Sequence, residues 1–302
     1  MRVLCVHAHF DDYEFTCGGL FELWRRKLGK DVRCRVVICT DGKAGHQFRT
    51  RDETGAMRLA EQEASARIGG YEFVPLRLPD GKMPREACLQ VDIPLLAALW
   101  KAIRDFEPDY LFCPPVASHP LSGMHVDHDA VGEAVRKVAY MINVPHAFTP
   151  EYPADETSSK QVKVPVIINT YDPYLKVALR HDLAVDIDPV FDDVVCPITW
   201  CHQSQIAEWL PWVSSPRLLE APKDLAHWRR LMRARYAEAS AELGIAGNRP
   251  YEMFCVTAWG TVPDPEQVLR DLPGLDPKAS NYDQLRERFA RSVANARPAA
   301  ST

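Results

Sequence analysis

Three side chains of the types that bind metal ions or transfer protons come directly after the first apolar run of the sequence. They are His9, Asp11 and Asp12, and the run before them, Val3–Val6, is too short for a helix. A helical pattern then begins near Leu20. This order predicts a strand, a loop and a helix, with the three side chains at the carboxyl end of the strand, where ligands bind in open parallel sheets. Taken alone, paired aspartates at this place also commonly cap the following helix.

A second group of the same residue types follows a later strand-like run. The segment His125-Val126-Asp127-His128 comes after Tyr110–Cys113 and an intervening loop. Because the loops after both strands lie at one edge of a doubly wound sheet, we expect His128 to come close to His9 and Asp12. Two imidazoles and one carboxylate leave a position open for water, which is typical of a catalytic rather than a structural zinc site. The spacing therefore predicts a metal site formed by His9, Asp12 and His128.

The neighbours of these three residues are predicted to carry the chemistry. Asp11 stands beside a ligand without being needed as one, so we expect it to take a proton from a water molecule that the metal activates. His125 can donate a hydrogen bond to a developing oxyanion or protonate a leaving amine. Asp127 can orient one of the imidazoles through a hydrogen bond. The three residues Asp11, His125 and Asp127 are the predicted catalytic group.

The elements that position these residues alternate between strands and helices. Strands are predicted at Val3–Val6, Cys34–Cys39, Phe73–Leu78 and Tyr110–Cys113, and helices at Leu20–Leu28, Asp52–Ile68, Ile93–Phe106 and His128–Val138. Such alternation indicates βαβ units with right-handed crossovers and a mainly parallel sheet. The expected fold class is α/β, a three-layer α/β/α sandwich.

The second half of the chain is less regular. Further strands are predicted at Val164–Ile168, Ala184–Ile187 and Tyr251–Trp259, and helices at Ile198–Trp209, Leu225–Leu243 and Tyr282–Val293. Because we find no internal repeat and no clear linker, we expect a single domain over residues 1–302. Within it, Val144–Lys163 is rich in Pro, Ser, Thr and Glu and is expected to form a long loop or lid. A C-terminal extension is expected from about residue 213.

Composition argues against several classes of function. The net charge of −5 and the pI near 6.1 do not suit a nucleic-acid-binding surface, which is normally basic. No apolar run approaches the ~18–20 residues that a membrane span needs, and the N-terminus lacks the pattern of a signal peptide. The nine cysteines show no Cys-X-X-Cys spacing, so we expect reduced, structural thiols. These features predict a cytoplasmic protein.

The motifs, taken in order, resemble those of the PIG-L/LmbE-like metal-dependent deacetylases. Ala8-His9-Phe10-Asp11-Asp12 is similar to the Ala-His-Pro-Asp-Asp signature of that family, and His125-Val126-Asp127-His128 matches its His-X-Asp-His. Asp41–Gly45 resembles its Gly-rich loop, Arg58–Glu61 its Arg-X-X-Glu helix, and Asp186-Ile187 and His202–Gln205 its Asp-Ile and His-X-Ser-Gln elements. The resemblance covers about residues 3–212. Phe10 departs from the pattern, because a proline is usual at its place.

The resemblance implies a Rossmann-like fold and zinc-dependent hydrolysis of an N-acyl group, usually an N-acetyl group on a glucosamine unit. It assigns the metal to the same three residues that the spacing favoured, the role of general base to Asp11 and the stabilisation of the tetrahedral intermediate to His125. It also implies that Arg58 contacts substrate hydroxyls, a role that the residues alone do not indicate. His202 and Gln205 either face the substrate or belong to a polar helix face.

From the motifs and the resemblance together, we expect a zinc-dependent N-deacetylase acting on an amino-sugar-containing small molecule. Ferrous iron or another divalent cation is the alternative to zinc. The alternatives in function are an amidase for a larger acyl group or a thiol conjugate, and a metal-containing glycan-binding module without activity. The expected partner is the small N-acyl substrate, and the sequence leaves open whether the protein forms a homo-oligomer.

A few further aromatic and histidine residues allow simple expectations. His46 and His119 are expected to be solvated loop histidines. Trp200, Trp209 and Trp212 form either an aromatic wall for a sugar or acyl chain, or part of a core or subunit interface.

Overall fold

A seven-stranded sheet forms the centre of the computed structural model, which describes residues 1–157, 160–213 and 220–296, the last six of these by their backbone alone. The strands are β1 (Arg2–His7), β2 (Arg33–Ile38), β3 (Glu72–Pro75), β4 (Tyr110–Cys113), β5 (Val166–Thr170), β6 (Leu183–Asp186) and β7 (Tyr251–Val256). Their order across the sheet is β3-β2-β1-β4-β5-β7-β6. The first five in this order are parallel, and β7 runs antiparallel to both of its neighbours.

In the described part of the chain, eleven helices surround the sheet. They are α1 (Asp12–Thr16), α2 (Gly18–Leu28), α3 (Arg51–Gly69), α4 (Ile93–Phe106), α5 (Val126–Met141), α6 (Asp188–Val190), α7 (Cys196–Trp200), α8 (Leu210–Val213), α9 (Leu225–Glu242), α10 (Pro265–Asp271) and α11 (Tyr282–Ala296). Two π-helical segments lie at Phe191–Val195 and Ser204–Trp209, and short 3₁₀ turns lie at Gly29–Asp31, Pro153–Asp155 and Pro173–Ala178. Side-chain caps define several helix starts, among them a capping box that joins Thr50 and Glu53 at the start of α3.

Both faces of the sheet are buried, so the three-layer α/β/α arrangement expected from the sequence is confirmed. Alternate residues of β1 point to opposite faces: Val3 belongs to one hydrophobic cluster and Leu4 to the other. The first cluster includes the indoles of Trp24 and Trp228, and the second includes Trp100. Because parallel strands are covered on both faces, they appear in the sequence as continuous apolar runs rather than as alternating patterns.

Some element boundaries differ from the sequence-based expectations. The helix predicted at Ile198–Trp209 is interrupted, because α7 ends at Trp200 and the π-helical segment begins only at Ser204. His202, which lies in the interruption, turns its side chain into the core. The helix predicted from His128 begins earlier, at Val126, since His125 caps it through its ring nitrogen. The strand predicted at Tyr251–Trp259 ends at Val256.

The segment expected to form a lid packs at a distance from the sequence motifs. Of residues 144–163, positions 158 and 159 lie outside the described residues. The backbone N–H of Val162 donates to Asn143 Oδ1, and the carbonyl of Val162 accepts from Asn143 Nδ2. The Arg104 guanidinium of α4 donates to the carbonyl of Lys160. These contacts place residues 160–163 near the C-terminal end of α5, whereas His125 lies at its N-terminal end, ~24 Å away along a 16-residue helix.

All nine cysteines are free thiols in the structure. Among the described helices, none combines the length and the apolar character that crossing a bilayer requires. The single-domain organisation over residues 1–302 and the extension from about residue 213 remain predictions, and residues 214–219 lie outside the described part of the chain.

Candidate metal and catalytic site

The carboxyl ends of all five parallel strands bring polar side chains to one edge of the sheet. In the order of the strands along the chain, these are His9, Asp11 and Asp12 after β1, Asp41 after β2, Glu86 after β3, His125, Asp127 and His128 after β4, and Asp172 after β5. This convergence is what the edge rule for open α/β sheets predicts. The two sequence clusters that were expected to meet do meet here.

Three atoms form a nearly equilateral triangle at this edge. His9 Nδ1 lies 3.2 Å from His128 Nε2 and 3.3 Å from Asp12 Oδ2, and the last two atoms are 3.3 Å apart. Ligands at ~2.0–2.1 Å from a tetrahedral zinc ion would be separated by about 3.3 Å from one another. The residues predicted to be metal ligands therefore fit a divalent cation in both atom type and spacing.

Two of the three candidate ligands are held by buried carboxylates. His9 Nε2 lies 3.0 Å from Asp127 Oδ2, and His128 Nδ1 lies 2.8 Å from Asp172 Oδ2. Asp127 is itself fixed, because it accepts the backbone N–H groups of Ala87 at 2.6 Å and Leu89 at 3.0 Å. Such partners fix the ring orientation of a histidine and leave its other nitrogen free for a metal. Asp127, predicted to orient an imidazole, contacts His9.

The protein's own charges strongly perturb the three candidate ligands. Burial disfavours the charged form of both histidines, but the Asp12 carboxylate outweighs it, together with Asp127 for His9 and Asp172 for His128. The pKa of His9 rises to about 9 and that of His128 to about 10. Burial opposes ionisation of Asp12 too, yet the surrounding histidines hold its pKa well below the usual range. Because a metal binds neutral imidazole, cation binding here at neutral pH would release protons.

Asp11 has an unusual backbone conformation. Its φ of 94° lies in the left-handed region, which costs a residue other than glycine of the order of 1–3 kcal/mol. The backbone N–H of Asp11 donates to Gln62 Oε1 at 3.1 Å. The carboxylate oxygen Oδ1 of Asp11 lies 3.4 Å from Arg58 Nη2. Burial raises the pKa of Asp11 to about 6, against the effect of the Arg58 guanidinium. A carboxylate with a pKa near neutrality is well suited to act as a general base.

Arg58 lies inside the protein rather than in an open cleft. Its guanidinium donates to Glu86 Oε1 at 2.7 Å and to the carbonyl of Phe10 at 2.6 Å, in addition to its contact with Asp11. Glu86 in turn accepts the backbone N–H groups of Ala44 and Gly45 in the Gly-rich loop. The contact of Arg58 with substrate remains a prediction. What the structure shows is that Arg58 joins the loop that carries Asp11 to the loop after β2.

His202 and Gln205 also lie behind the site. His202 has no exposed surface, and its Nε2 lies 3.3 Å from Glu14 Oε1. Gln205 Nε2 donates to the carbonyl of Gly45 at 3.2 Å. Glu14 also accepts from Gln62, Ser65 and Tyr71, so it is the centre of a buried polar network. The predicted contact of His202 and Gln205 with substrate is untested, and both side chains pair with groups of the protein itself.

His125 is half-buried next to the triangle, and one of its ring nitrogens is engaged by the backbone. Its Nδ1 accepts the backbone N–H of Asp127 at 3.2 Å, and its ring packs edge to face against His9 with centroids 4.5 Å apart. In a neutral ring whose Nδ1 accepts, the proton lies on Nε2. Burial and the neighbouring His9 and His128 lower the pKa of His125, which favours this neutral form. His125 can therefore donate a hydrogen bond through Nε2.

Four residues of the site were missed by the sequence analysis: His7, Gln62, Glu86 and Asp172. Asp172 comes just after β5, so the rule that found His9 and His128 would also have found it. Glu86 lies well beyond the end of β3, and Gln62 lies in the middle of a helix. No local pattern marks either of them. The position of His7 within an apolar run favours a core residue.

The remaining histidine and tryptophan expectations have mixed outcomes. His46 was expected to be solvated, which is wrong: its side chain is 1% exposed and its Nε2 lies 2.7 Å from Glu208 Oε2. His119 is exposed, as expected. Trp209 and Trp212 stack on each other with centroids 5.4 Å apart, and Trp212 is 60% exposed.

Solved structures share the fold of this chain at low sequence identity. N,N′-diacetylchitobiose deacetylase from Pyrococcus horikoshii is 21% identical, with 85% of this chain and 84% of that chain covered and a TM-score of 0.64. 4-Carboxy-2-hydroxymuconate hydratase from Pseudomonas putida is 17% identical, with coverages of 87% and 98% and a TM-score of 0.57. The conserved protein TT1542 from Thermus thermophilus is 18% identical, with coverages of 87% and 97% and a TM-score of 0.57. At these identities the likeness concerns the fold.

The sequence comparisons give one family. No curated protein gives a significant match to this chain. Residues 4–139, which contain His9, Asp12 and His128, match the PIG-L family, described as GlcNAc-PI de-N-acetylase. The resemblance predicted from the motifs is thereby confirmed over residues 4–139, where the chain matches the PIG-L family.

Proposed function

We propose that this protein is a metal-dependent N-deacetylase that removes an N-acetyl group from an amino-sugar-containing small molecule. The observation that carries the proposal is the triangle of His9 Nδ1, Asp12 Oδ2 and His128 Nε2, with Asp11 beside it. The description of the matching family supports the reaction, and the deacetylase of similar fold supports it as well. The comparison with a hydratase of similar fold shows why the site, rather than the fold, has to decide the reaction.

The donor set favours zinc. Two imidazoles and one carboxylate are a common protein ligand set for a catalytic zinc ion, and ferrous iron is the alternative. When bound, a divalent cation at the triangle would lower the pKa of a water molecule and polarise an acyl carbonyl.

The reaction needs two proton-handling groups, and the chain supplies both. Asp11 takes a proton from the attacking water, a role that suits its pKa of about 6. The Nε2–H of His125 donates a hydrogen bond to the oxyanion of the tetrahedral intermediate. The protonated Asp11 or His125 then delivers a proton to the nitrogen as the C–N bond breaks. The products are a carboxylic acid, which loses its proton to the amine or to solvent, and an amine, so one water molecule is consumed for each amide hydrolysed.

The surroundings of the Gly-rich loop support a substrate that carries a sugar. A Cβ placed on Gly45 would lie 3.4 Å from Arg58 Nη1 and 3.5 Å from Trp209 Nε1. The indole of Trp209 therefore lies next to the Gly-rich loop, close to the guanidinium of Arg58. Trp209 stacks on the largely exposed Trp212. Stacked indoles present a flat apolar surface with a polar edge, which suits the apolar face of a sugar ring.

The proposal is tested by amine release from purified protein. Metal-free protein should be inactive towards N-acetylglucosamine derivatives and diacetylchitobiose, and added zinc or ferrous iron should restore activity. The variant His128→Ala should lose both the cation and the activity. The matched control His146→Ala removes an exposed histidine from another part of the protein and should behave as wild type.

Three outcomes would contradict the proposal in different ways. Activity that survives chelation and the His128→Ala substitution would exclude a metal-dependent reaction. Release of amine only from substrates with a longer acyl chain or a thiol conjugate would favour the wider amidase. Stoichiometric cation binding without hydrolysis of any N-acyl compound would favour a glycan-binding module.

A further inference from the structure

Asp12, the third residue of the triangle, also has a buried partner. His7 is the last residue of β1 and is 2% exposed. Its Nδ1 lies 2.6 Å from Asp12 Oδ2, the same oxygen that faces His9 Nδ1 and His128 Nε2. The backbone nitrogen of Ala8 also lies 3.1 Å from His7 Nδ1. An ionised carboxylate can only accept a hydrogen bond, and its contact with His7 Nδ1 is the shorter of the two by far, so the proton lies on Nδ1 and points to Asp12. His7 therefore donates to the oxygen that completes the triangle.

The distance between His7 Nδ1 and Asp12 Oδ2 indicates that His7 is a hydrogen-bond donor to Asp12 rather than a metal ligand. His7, Asp12 and His128 together form a group of side chains that could hold a cation, which raises the alternative that His7 is a ligand itself. However, the 2.6 Å between His7 Nδ1 and Asp12 Oδ2 is much shorter than the 3.2–3.3 Å edges of the triangle. Two ligands of one zinc ion would lie about 3.3 Å apart, whereas a charge-assisted hydrogen bond is short.

Two further contacts fix this donor and its acceptor. The His7 ring packs edge to face against the ring of His128, with centroids 4.9 Å apart and an angle of 88° between the planes. Asp12 Oδ2 also accepts the backbone N–H of His9 at 2.7 Å. Because His7 is almost fully buried, water does not compete for its hydrogen bond.

We infer that His7 is a positioning residue of the cation site, which holds the ligand oxygen of Asp12 in place and so strengthens cation binding. The inference rests on the metal site of the proposed function. Each residue of the triangle then has one buried partner: Asp127 for His9, Asp172 for His128 and His7 for Asp12. Loss of such a partner typically weakens metal binding 10–100-fold.

The test compares two substitutions of almost equal size. In His7→Asn, the side-chain amide nitrogen can take the place of Nδ1 and still donate to Asp12. In His7→Leu, a side chain of similar shape has no donor. Zinc affinity is measured by competition with a chromophoric chelator, and the absorption spectrum of the cobalt(II)-loaded protein reports the ligand geometry. Both measurements are made without substrate.

The expected result is an affinity loss of roughly 10–100-fold for His7→Leu, with a changed cobalt spectrum, and an affinity close to wild type for His7→Asn. The inference is overturned if His7→Leu binds zinc as tightly as wild type, or if both variants lose the same amount. If His7→Leu fails to fold, His7→Gln replaces it, because its longer side chain carries the amide towards the position of Nε2. His7→Gln should then lose affinity relative to His7→Asn, and equal affinities would overturn the inference.

Failure of the proposed function is distinguishable from failure of this inference. If the wild type binds zinc but hydrolyses no N-acyl compound, the proposed function fails, and the comparison of the His7 variants still decides the inference. If the wild type hydrolyses its substrate while zinc affinity is unchanged in His7→Leu, the inference alone fails.

Discussion

Two buried carboxyl groups lie at the starts of neighbouring helices and have opposite surroundings. Asp11 precedes α1, and Glu252 reaches from β7 to the start of α2. Burial raises the pKa of Asp11 to about 6 and that of Glu252 to about 7. The oxygens of Glu252 accept the backbone N–H groups of Gly19 at 2.7 Å and Leu20 at 2.8 Å. Asp11 instead has a strained backbone and lies next to the triangle of candidate metal ligands.

The comparison shows that a raised pKa identifies a buried acid but not a catalytic one. Glu252 is 2% exposed and both of its oxygens satisfy the first N–H groups of a helix, where a carboxylate is favoured. Asp11 is 9% exposed and its backbone is held in a costly conformation by Gln62. Strain that the surrounding structure maintains is typical of functional residues. Geometry therefore distinguishes the proposed general base, Asp11, from Glu252, whose carboxyl group caps a helix.

The largest effect is expected from Asp11→Asn, which removes the proposed general base and keeps the size of the side chain. Turnover should fall by about 10²–10⁴-fold, the usual contribution of such a group, while the bound metal stays near the wild-type amount. Steady-state kinetics and metal analysis of the same sample check this. Glu252→Gln is the control and should keep its activity. Equal turnover in Asp11→Asn and wild type would remove the distinction between the two carboxyl groups.

A smaller loss is expected from Gln62→Leu, which takes away the acceptor for the backbone N–H of Asp11. If this bond maintains a conformation that costs of the order of 1–3 kcal/mol, turnover should fall by roughly 10–100-fold with little change in KM. Hydrogen exchange of the peptide that contains Asp11 should become faster. The exposed Gln267→Leu in α10 serves as the matched control.

A double variant sharpens this test. In an Asp11→Asn background, Gln62→Leu should cost little more activity, because two residues that act as a unit are not additive. Full additivity of the two losses would mean that Gln62 acts by some route other than Asp11.

The smallest effect concerns Glu252 and appears only in stability. The pKa of Glu252 is raised from 4.5 to about 7 in the folded protein. Between pH 4.5 and 7, Glu252 is therefore protonated in the folded protein and ionised in the unfolded chain. The free energy of unfolding should therefore decrease as the pH rises from about 4.5 to about 7, by up to ~3 kcal/mol, and stay level above. The Glu252→Gln variant lacks this titrating group but keeps all the other titratable groups of the wild type.

Urea unfolding of the wild type and Glu252→Gln between pH 5 and 8 measures the difference. The wild type should lose stability relative to the variant as the pH rises to 7. A difference that does not vary with pH would show that Glu252 keeps an ordinary pKa and is not the isolated buried acid of the comparison.

Much of the fold and the residues of the triangle could be predicted from the sequence. Each parallel strand is a short apolar run, and the run before His9 and the run before His125 both end at the same sheet edge. The errors concern side chains whose surroundings come from distant segments. His46 looked like a loop histidine but is buried against Glu208, and the helix expected through His202 is broken where that side chain enters the core.

The sequence by itself determined the order of strands and helices and the types of residue at the carboxyl edge of the sheet, because periodicity and the rules of chain topology are local properties. Only the tertiary structure decided which nitrogen of His9 faces the triangle and which residues support it. Asp172 reaches His128 across 44 positions and Gln62 reaches Asp11 across 51. Such contacts depend on how whole elements pack and on side-chain orientation, and no short stretch of sequence contains either.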